Sequence, residues 1–259
     1  MDYLHKIEKI NAEDLLWNIP EQKQGTVNIV GGNAQSFRAP VKVAEFLATH
    51  YPVKTVNLVL PDALQNKLPA LENLVFVKST ESGSFADGEE LLAKMDEADF
   101  NLLVGDVSKN AITAKVVQSV CLSLDKPTLI TRDAVDLIAE NATERILMNK
   151  NLIIFGSMMQ MQKLFRAVYY PKILTLSQPL TQVAEAMHKF TLSYPVALVT
   201  LHDGQILLAQ NGSVDVLSLD KTSYSPLTLW NGELAAKIVA LNLYNPNRFL
   251  EASVVAATA

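Results

Sequence analysis

The feature that most constrains this chain's fold is a regular alternation of short apolar runs with segments of helical spacing. The apolar runs predict β-strands at Val27–Val30, Val56–Leu60, Leu74–Val77, Leu102–Val104, Thr128–Thr131 and Leu152–Phe155. The segments between them predict helices at Pro40–His50, Glu89–Asp96, Ala111–Leu124, Ala134–Glu140 and Ser157–Ala167. Strands that are apolar along their whole length and separated by helices are typical of a mostly parallel sheet covered on both faces.

The pattern changes in the last third of the chain. The predicted elements there are a strand at Ile173–Leu176, a helix at Leu180–Leu192, strands at Val196–Thr200, Gln205–Ala209 and Val214–Leu217, and helices at Gly232–Leu243 and Asn247–Ala257. The dipeptides Asp203-Gly204 and Asn211-Gly212 separate the three later strands, and both favour the positive φ angles of two-residue hairpin turns. We therefore expect antiparallel strands in this part of the sheet.

Composition narrows the class of protein. Of the 259 residues, 49% are hydrophobic and 19% are charged, and the formal net charge is -5. This balance suits a well-buried globular chain and disfavours binding to nucleic acid or to a membrane surface, which needs clustered Lys and Arg. Because Cys121 has no partner cysteine and no signal peptide or long apolar stretch is present, we expect a cytoplasmic protein. We expect one domain over residues 1–259, with 1–24 as an N-terminal helix and lead-in.

Two short motifs indicate possible ligand contacts. Gly31-Gly32-Asn33 lies between a predicted strand and a helix, where glycines let a ligand approach the backbone and the helix N-terminus favours an anion. A strand-to-helix turn also needs glycine for its geometry alone, so both interpretations stay open. In the second motif, Asn231 is predicted to cap the helix that begins at Gly232, and Glu233 lies in its first turn. A plain helix start is the simpler explanation of that segment.

No metal site follows from the sequence. None of the 4 histidines falls at a metal-ligand spacing, and Cys121 lies within an apolar helix, as a core residue does. The nucleophile motif GxSxG and the phosphate-binding motif GxxxxGK[ST] are both missing from the sequence. We therefore assign no metal-ligating residue.

Several longer segments follow one another in a recognisable order. They are Ala12–Leu16, Gly25–Asn33, Arg38–Pro40, Leu103–Ser108, Lys126–Val135, Ile153–Gln160, Leu201–Gly204 and Trp230–Glu233. In this order they resemble the ATP- or ADP-dependent NAD(P)H-hydrate dehydratases, a carbohydrate-kinase-like family, over nearly the whole chain. The resemblance implies a ribokinase-like, three-layer α/β/α fold with a mostly parallel central sheet and antiparallel strands near the C-terminal part.

The resemblance also implies roles for individual residues. Glu233 stands in the position of the family's catalytic aspartate, and Gly105, Asn231 and Gly232 stand where the nucleotide is bound. The positions on the substrate side are Gly31, Gly32, Asn33, Ala39, Asp133, Ser157 and Gln160. An active member would use ATP or ADP with Mg²⁺ and act on a small molecule.

The resemblance further implies a homo-oligomer. The two C-terminal helices are candidates for the contact between copies, because Leu250–Ala259 is apolar and rich in small residues. Packing of this segment on the sheet of its own chain is an equally good explanation.

Many family residues are replaced. Ser157 and Gln160 stand where the family has His and Glu, Leu201 replaces a lysine, and Trp230 replaces the first glycine of Gly-Thr-Gly-Asp. Trp230 either fills the anion site or points away from it. Glu233 is one methylene longer than the family aspartate, and a displacement of about 1 Å can cost on the order of a hundredfold in rate.

Three hypotheses about function follow. The first is a nucleotide-dependent NAD(P)H-hydrate dehydratase, or a close relative with a changed substrate, that uses Glu233 as its base. The second is a non-catalytic metabolite- or nucleotide-binding or assembly module on the same fold. A sugar or vitamin kinase is a weaker third hypothesis, because such kinases need the same glycine-rich turn and aspartate base.

The expected site lies at the carboxyl ends of the parallel strands, where open α/β sheets bind ligands. We predict that Gly31-Gly32, Gly105-Asp106, Gly156-Ser157 and Trp230–Gly232 converge there. The lost His, Glu and Lys predict a cleft that is poorer in charge than an ATP site, and hence a neutral or less phosphorylated ligand.

Overall fold

The computed structural model describes residues 2–7, 19–68, 73–141, 143–218 and 231–258. Strands in these ranges form one sheet and are β1 Leu4–Ile7, β2 Gln24–Gly31, β3 Val53–Pro61, β4 Leu74–Val77, β5 Phe100–Gly105, β6 Thr128–Thr131, β7 Leu152–Phe155, β8 Ala197–His202, β9 Gln205–Gln210 and β10 Ser213–Ser218. Their order across the sheet is β1-β10-β9-β8-β7-β6-β5-β2-β3-β4. Neighbours are parallel except where β9 pairs with β8 and β10. The predicted mostly parallel sheet with antiparallel strands in its C-terminal part is confirmed.

Helices cover both faces of this sheet. They are α1 Arg38–His50, α2 Gly88–Asp96, α3 Ala111–Ser123, α4 Asp133–Ile138, α5 Thr143–Leu147, α6 Met158–Ala167, α7 Leu180–Ser193, α8 Glu233–Tyr244 and α9 Phe249–Thr258. Residues from α1, α8 and α9 form one buried cluster with the sheet, and residues from α2 to α7 form the other. The predicted three-layer α/β/α architecture is therefore confirmed.

Burial on both faces explains why the central strands are mostly apolar. In β5 and β6, Leu102 and Leu129 point to the cluster of α1, α8 and α9, whereas Leu103 and Ile130 point to the opposite cluster. Successive strand residues face opposite sides, so each position is buried by one of the two helix layers. Each such side chain contributes about 1.5–3 kcal/mol through its removal from water.

The two glycine dipeptides form tight hairpin turns, as predicted. Asp203 and Gly204 have φ angles of 50° and 72°, and Asn211 and Gly212 have φ angles of 49° and 82°. Positive φ at both central residues is the mark of a type I′ turn, which joins antiparallel strands with the correct twist. These turns reverse β9 between β8 and β10.

The strand predicted at Ile173–Leu176 is wrong. This segment is an irregular connection between α6 and α7, and Ile173 and Leu176 are 62% and 67% exposed. Two of its backbone carbonyls accept hydrogen bonds from side chains instead of from a neighbouring strand. Gln178 Nε2 donates to Ile173 O at 2.8 Å, and Gln162 Nε2 donates to Leu174 O at 2.7 Å.

An N-terminal strand, β1, was missed in the segment predicted as a helix and lead-in. It lies parallel to β10 at the edge of the sheet, with Leu4 opposite Val214 and His5 opposite Asp215. A 2.9 Å contact between His5 Nδ1 and Asp215 Oδ1 supports this register. The predicted helical segment Ala12–Leu16 lies outside the described residues.

A row of polar side chains crosses the sheet within its buried face. Asn28 of β2 lies opposite Asn57 of β3 and opposite Asn101 of β5. Asn57 Nδ2 donates to Asn28 Oδ1 at 2.9 Å, and Asn28 Nδ2 donates to Lys94 O at 2.8 Å. Asn101 Nδ2 donates to Met95 O at 3.0 Å. Two asparagines thus satisfy carbonyls at the C-terminus of α2, where a helix leaves them without intrahelical partners.

The C-terminal helix packs on its own sheet. Residues Ala252, Val254, Val255 and Ala256 of α9 are all buried against the cluster that includes α8. The apolar character of this segment is therefore explained by packing within the chain, and the homo-oligomer stays a prediction. Among the described residues, no helix is both long and apolar enough to cross a membrane.

Candidate functional site

The turns that follow β2, β5 and β7 meet at one edge of the sheet, together with the start of α8. Gly32 N donates to Gly105 O at 2.9 Å, which joins the ends of β2 and β5. Gly156 lies against Gln160 and Val135, and Gly232 lies against Val43. Gly31, Gly105 and Gly156 lie at the carboxyl ends of parallel strands of one sheet, and a Cβ on Gly232 would lie 3.9 Å from Val104 at the end of β5, so the described residues of the four turns lie at the same edge. Trp230 lies outside the described residues.

Close packing accounts for the glycines at the ends of β2 and β5. A Cβ on Gly31 would lie 2.5 Å from the carbonyl oxygen of Gly105. Gly105 has a φ of +100°, which side chains rarely adopt, and a Cβ there would collide with Asp133 Oδ1. The resemblance places both glycines beside a ligand, yet each also has a purely structural need for glycine.

Asp133 holds the loop that follows β5. Its carboxylate accepts hydrogen bonds from Asp106 N at 2.6 Å and from Val107 N at 3.1 Å. Burial raises the pKa of the Asp133 carboxyl, and the backbone N–H groups act in the opposite direction. The carboxylate assigned to substrate thus occupies backbone donors that a glycine-rich loop would leave open to a ligand anion.

The side chain of Asn33 is also bonded within the protein. Its Oδ1 accepts from Gln35 N at 2.8 Å and from Ser36 N at 3.1 Å, which closes the turn before α1. Its Nδ2 donates to Asp106 O at 2.5 Å. Asn33 therefore ties the turn after β2 to the loop after β5.

A hairpin between β4 and α2 covers the same two turns. Gly83 O accepts from Ala34 N at 2.8 Å, and Asn110 Nδ2 donates to Ser82 Oγ at 3.3 Å. The hydroxyl of Ser84 donates to the carbonyl of Val107. This hairpin covers the edge where the resemblance places a substrate, and no sequence motif indicates it.

Ser157 and Gln160 form a capping box at the start of α6. Gln160 N donates to Ser157 Oγ at 3.3 Å, and Ser157 N donates to Gln160 Oε1 at 3.0 Å. Gln160 Nε2 also donates to Arg132 O at 2.6 Å. The two residues that replace the family His and Glu thus stabilise a helix start and the turn after β6.

Replacing Ser157 with alanine is expected to lower the free energy of unfolding by about 1 kcal/mol, because the cap of α6 is lost. Urea unfolding measures this change. Ser193→Ala is the matched control, because Ser193 Oγ donates to Lys189 O in an exposed helix end. Loss of that hydrogen bond is expected to lower the free energy of unfolding by less than about 0.5 kcal/mol. Equal losses for the two variants would contradict the capping role.

An ion pair that the sequence motifs did not predict lies between the loops after β5 and β6. Arg132 Nη2 and Asp106 Oδ1 are 2.6 Å apart, and each side chain is only 15% exposed. Both residues have positive φ, 57° for Arg132 and 58° for Asp106, which costs on the order of 1–3 kcal/mol each for a non-glycine residue. In the resemblance, Gly105-Asp106 matches the start of a Gly-Pro-Gly-Leu-Gly loop and Thr131–Val135 matches Asp-Ala-Asp-Ala-Leu. Asp106 thus replaces a proline and Arg132 an alanine, and the joint replacement by an acid and a base is the signal that could have revealed the pair.

Two lysines converge on a carboxylate beside this pair. Lys109 Nζ lies 3.2 Å from Asp136 Oδ2, and Lys163 Nζ lies 2.6 Å from Asp136 Oδ1. Burial alone would raise the pKa of Asp136, but the bonds from Lys163 and Lys109 outweigh it, and the pKa is lowered. The predicted poverty of charge at this edge is therefore wrong, because Lys109, Arg132 and Lys163 supply cationic groups that no motif had singled out.

The start of α8 differs from its prediction in one respect. Gly232, with φ 80° and ψ 0°, is the N-cap residue, so Asn231 does not cap the helix as predicted. Glu233 is the first helical residue and is exposed, as is Asn231. Ala39 is half-buried in the first turn of α1 on the same face of the sheet.

The carboxylates of Asp106, Asp133 and Asp136 do not fit the role of magnesium ligands. Asp133 is bonded to backbone N–H groups, Asp106 to Arg132, and Asp136 to two lysines. Mg²⁺ needs free carboxylate or water oxygens in octahedral geometry. In the described part of the chain, no group of three or more His, Cys, Asp or Glu is arranged to hold a metal ion.

A separate cleft opens at the opposite edge of the sheet. It has a volume of about 500 Å³ and is bordered by Gln24, Phe100, Asn151 and Asn247. These residues lie at the amino ends of β2, β5 and β7 and in the turn between α8 and α9. None of the predicted site residues lines this cleft.

Comparison with known proteins identifies the fold. No protein-family model matches the chain. No curated protein matches it. A ribokinase-like superfamily protein from Enterococcus faecalis aligns with a TM-score of 0.68 at 14% identity, over 100% of this chain and 87% of that one. A hypothetical protein from Streptococcus mutans gives the same TM-score and identity, over 95% and 86%.

A third similar structure has a known activity. The ADP/ATP-dependent NAD(P)H-hydrate dehydratase from Bacillus subtilis aligns with a TM-score of 0.57 at 14% identity, over 96% of this chain and 84% of that one. That protein was co-crystallised with ATP and Mg²⁺ and soaked with coenzyme A. Together these likenesses show that this chain has the ribokinase-like fold.

Proposed function

We propose that this protein is a one-domain, divergent relative of the NAD(P)H-hydrate dehydratases that binds a nucleotide or another phosphorylated small molecule but does not carry out the family dehydration. The observation that carries this proposal is the bonding on the substrate side. Asn33, Asp133 and Gln160 all direct their polar side chains to the protein's own backbone. A ligand would have to compete with these bonds to use the residues as the family does.

Two features support phosphate binding at the same edge. The left-handed Gly232 opens α8 without a capping side chain, and a helix N-terminus favours anions. Lys109, Arg132 and Lys163 add positive charge at the ends of β5, β6 and β7. Two proteins of the same fold, both from Bacillus subtilis, were studied with nucleotides, a dehydratase with ATP/Mg²⁺ and a pyridoxal kinase as an ADP complex.

Dehydration with Glu233 as base is the second candidate function. The observation that favours it is the exposure of Glu233 in the first turn of α8, directly after the left-handed glycine. A carboxylate there is free to accept a proton from a bound substrate, as a general base must. A sugar or vitamin kinase would need an aspartate at this position and has less support.

Calorimetry and a turnover assay separate these candidates. The protein is titrated with Mg·ADP and Mg·ATP, and hydrated NADH with Mg·ATP is followed for recovery of NADH absorbance. We expect nucleotide binding without NADH recovery. Recovery above that of a Glu233→Gln control would establish the second candidate, and absence of nucleotide binding would exclude a nucleotide as the ligand of the first.

A further inference from the structure

The three cations at the carboxyl edge belong to one hydrogen-bonded network. Arg132 is paired with Asp106, and its carbonyl accepts from Gln160 Nε2 at 2.6 Å. Gln160 Nε2 also lies 3.3 Å from Asp136 Oδ2, and Asp136 holds both lysines. The connections after three adjacent strands, β5, β6 and β7, are thereby fixed relative to one another.

Asp136 orients the two lysines without burying them. Its side chain is 15% exposed, whereas Lys109 and Lys163 are 58% and 55% exposed. An ammonium group has three N–H donors, and one contact with Asp136 leaves the others directed to solvent. Two cations are therefore held at the rim where ligands of open α/β sheets bind, with part of their rotational entropy already lost.

The same chain contains a second pair of lysines on one carboxylate. Lys172 and Lys189 lie 3.3 Å and 2.6 Å from Glu185 Oε1 on the outer surface of α7. Glu185 is 36% exposed, more than twice the exposure of Asp136. Two lysines on a carboxylate are therefore not by themselves a site, and the difference lies in the buried anchor and the network at Asp136.

We propose that Lys109 and Lys163, oriented by Asp136, form an anion clamp for a phosphate group of the ligand. This proposal rests on the proposed function and specifies its ligand class. Lys109 and Lys163 lie on the side of the sheet covered by α2 to α7, whereas Gly232 lies on the side of α1, α8 and α9. The clamp is therefore separate from the start of α8, and a ligand that contacts both places would carry at least two anionic groups.

Three basic side chains and three carboxylates balance at the edge, so the exposed ammonium donors, and not a net charge, favour a phosphate over a cation or a neutral group. The three basic side chains face Asp106, Asp133 and Asp136, and Asp133 is already bonded to two backbone donors. An incoming phosphate forms charge-assisted hydrogen bonds with the exposed ammonium donors while Asp136 keeps both lysines in place. A divalent cation would meet these same ammonium groups and be repelled.

Titration with inorganic pyrophosphate tests the clamp. The full-length protein is compared with the double variant Lys109→Gln/Lys163→Gln and with Lys172→Gln/Lys189→Gln, which removes the same charge at α7. We expect pyrophosphate affinity to fall about tenfold or more in the first variant and to stay unchanged in the second. Lys109→Arg/Lys163→Arg keeps both charges and is expected to bind pyrophosphate like the unmodified protein. An unchanged far-UV circular dichroism spectrum of the glutamine variant shows that its loss of binding is not a folding defect.

Three results would overturn the clamp. The first is that the unmodified protein does not bind pyrophosphate. The second is that the Lys109→Gln/Lys163→Gln variant binds it as tightly as the unmodified protein. The third is that both glutamine variants lose the same affinity. Titration of the same proteins with Mg·ADP separates this failure from failure of the proposed function. If pyrophosphate binding depends on Lys109 and Lys163 but Mg·ADP does not bind, the clamp is confirmed and the ligand is not a nucleotide. If Mg·ADP binds and pyrophosphate binding ignores both lysines, only the clamp fails.

Discussion

Replacing Gly105 with alanine is expected to lower the free energy of unfolding by about 3 kcal/mol, because two costs are added. The first is conformational, since a φ of +100° is strained for any residue with a side chain. The second is steric, since the new Cβ would collide with Asp133 Oδ1 and lie 3.0 Å from Arg132 Cβ and 3.2 Å from Thr131 O. Asp133 would have to release the amides of the loop after β5.

Gly204→Ala isolates the conformational cost. Gly204 has a φ of +72°, and a Cβ there would meet nothing within 4 Å. We expect this control to lose about 1 kcal/mol, the usual cost of a left-handed non-glycine residue. Urea unfolding of both variants gives the difference. Equal losses would show that the contact between Gly105 and Asp133 adds nothing to the strain.

The central sheet was predictable because burial on both sides leaves a clear pattern. Runs such as Leu152–Phe155 are apolar at every position, and each corresponds to a strand of the central sheet. The hairpins at Asn211-Gly212 and Asp203-Gly204 were predictable for a different reason, since positive φ restricts the residue types that a type I′ turn accepts. The residue types within each short segment are therefore enough to predict the central strands and the two hairpin turns.

Other features depend on partners that are distant in the sequence. The strand β1 is stabilised by its contact with β10, and His5 and Asp215 are brought together only by the complete sheet. Conversely, Ile173–Leu176 has strand-like composition, but no described strand lies beside it. Glutamine side chains donate hydrogen bonds to two of its carbonyls instead. The periodicity of a sequence shows which side chains are apolar, but it does not show whether a strand is present to pair with the segment.

The place where the turns meet could be predicted from the sequence, but the bonding partners of the polar side chains there could not. The turns converge because the topology brings the strand ends together, as the resemblance implied. The polar residues at those ends were expected to face a ligand, yet Asn33, Asp133 and Gln160 bond to the protein itself. A family motif specifies residue types at positions, whereas the partner of each side chain depends on replacements elsewhere, such as Asp106 and Arg132.

Replacing Asn28 with leucine is expected to lower the free energy of unfolding by about 2–3 kcal/mol, the cost of leaving buried polar groups without partners. The Asn28 side chain accepts from Asn57 Nδ2 and donates to Lys94 O, and the residue is only 1% exposed. Leucine has the same branched shape and the same number of side-chain heavy atoms but satisfies neither group. The motif that marks this row was present in the sequence, since each of Asn28, Asn57 and Asn101 follows Val or Phe and precedes two aliphatic residues.

Asn101→Leu is the matched comparison, because Asn101 occupies the neighbouring position in the same row. Its Nδ2 donates to Met95 O, but its Oδ1 has no hydrogen-bond partner among the described residues. Leucine removes this unsatisfied acceptor along with the donor, so we expect a smaller loss, of about 1 kcal/mol. Urea unfolding of both variants measures the difference, and a loss for Asn101→Leu equal to or larger than that for Asn28→Leu would show that the unpaired oxygen carries no cost.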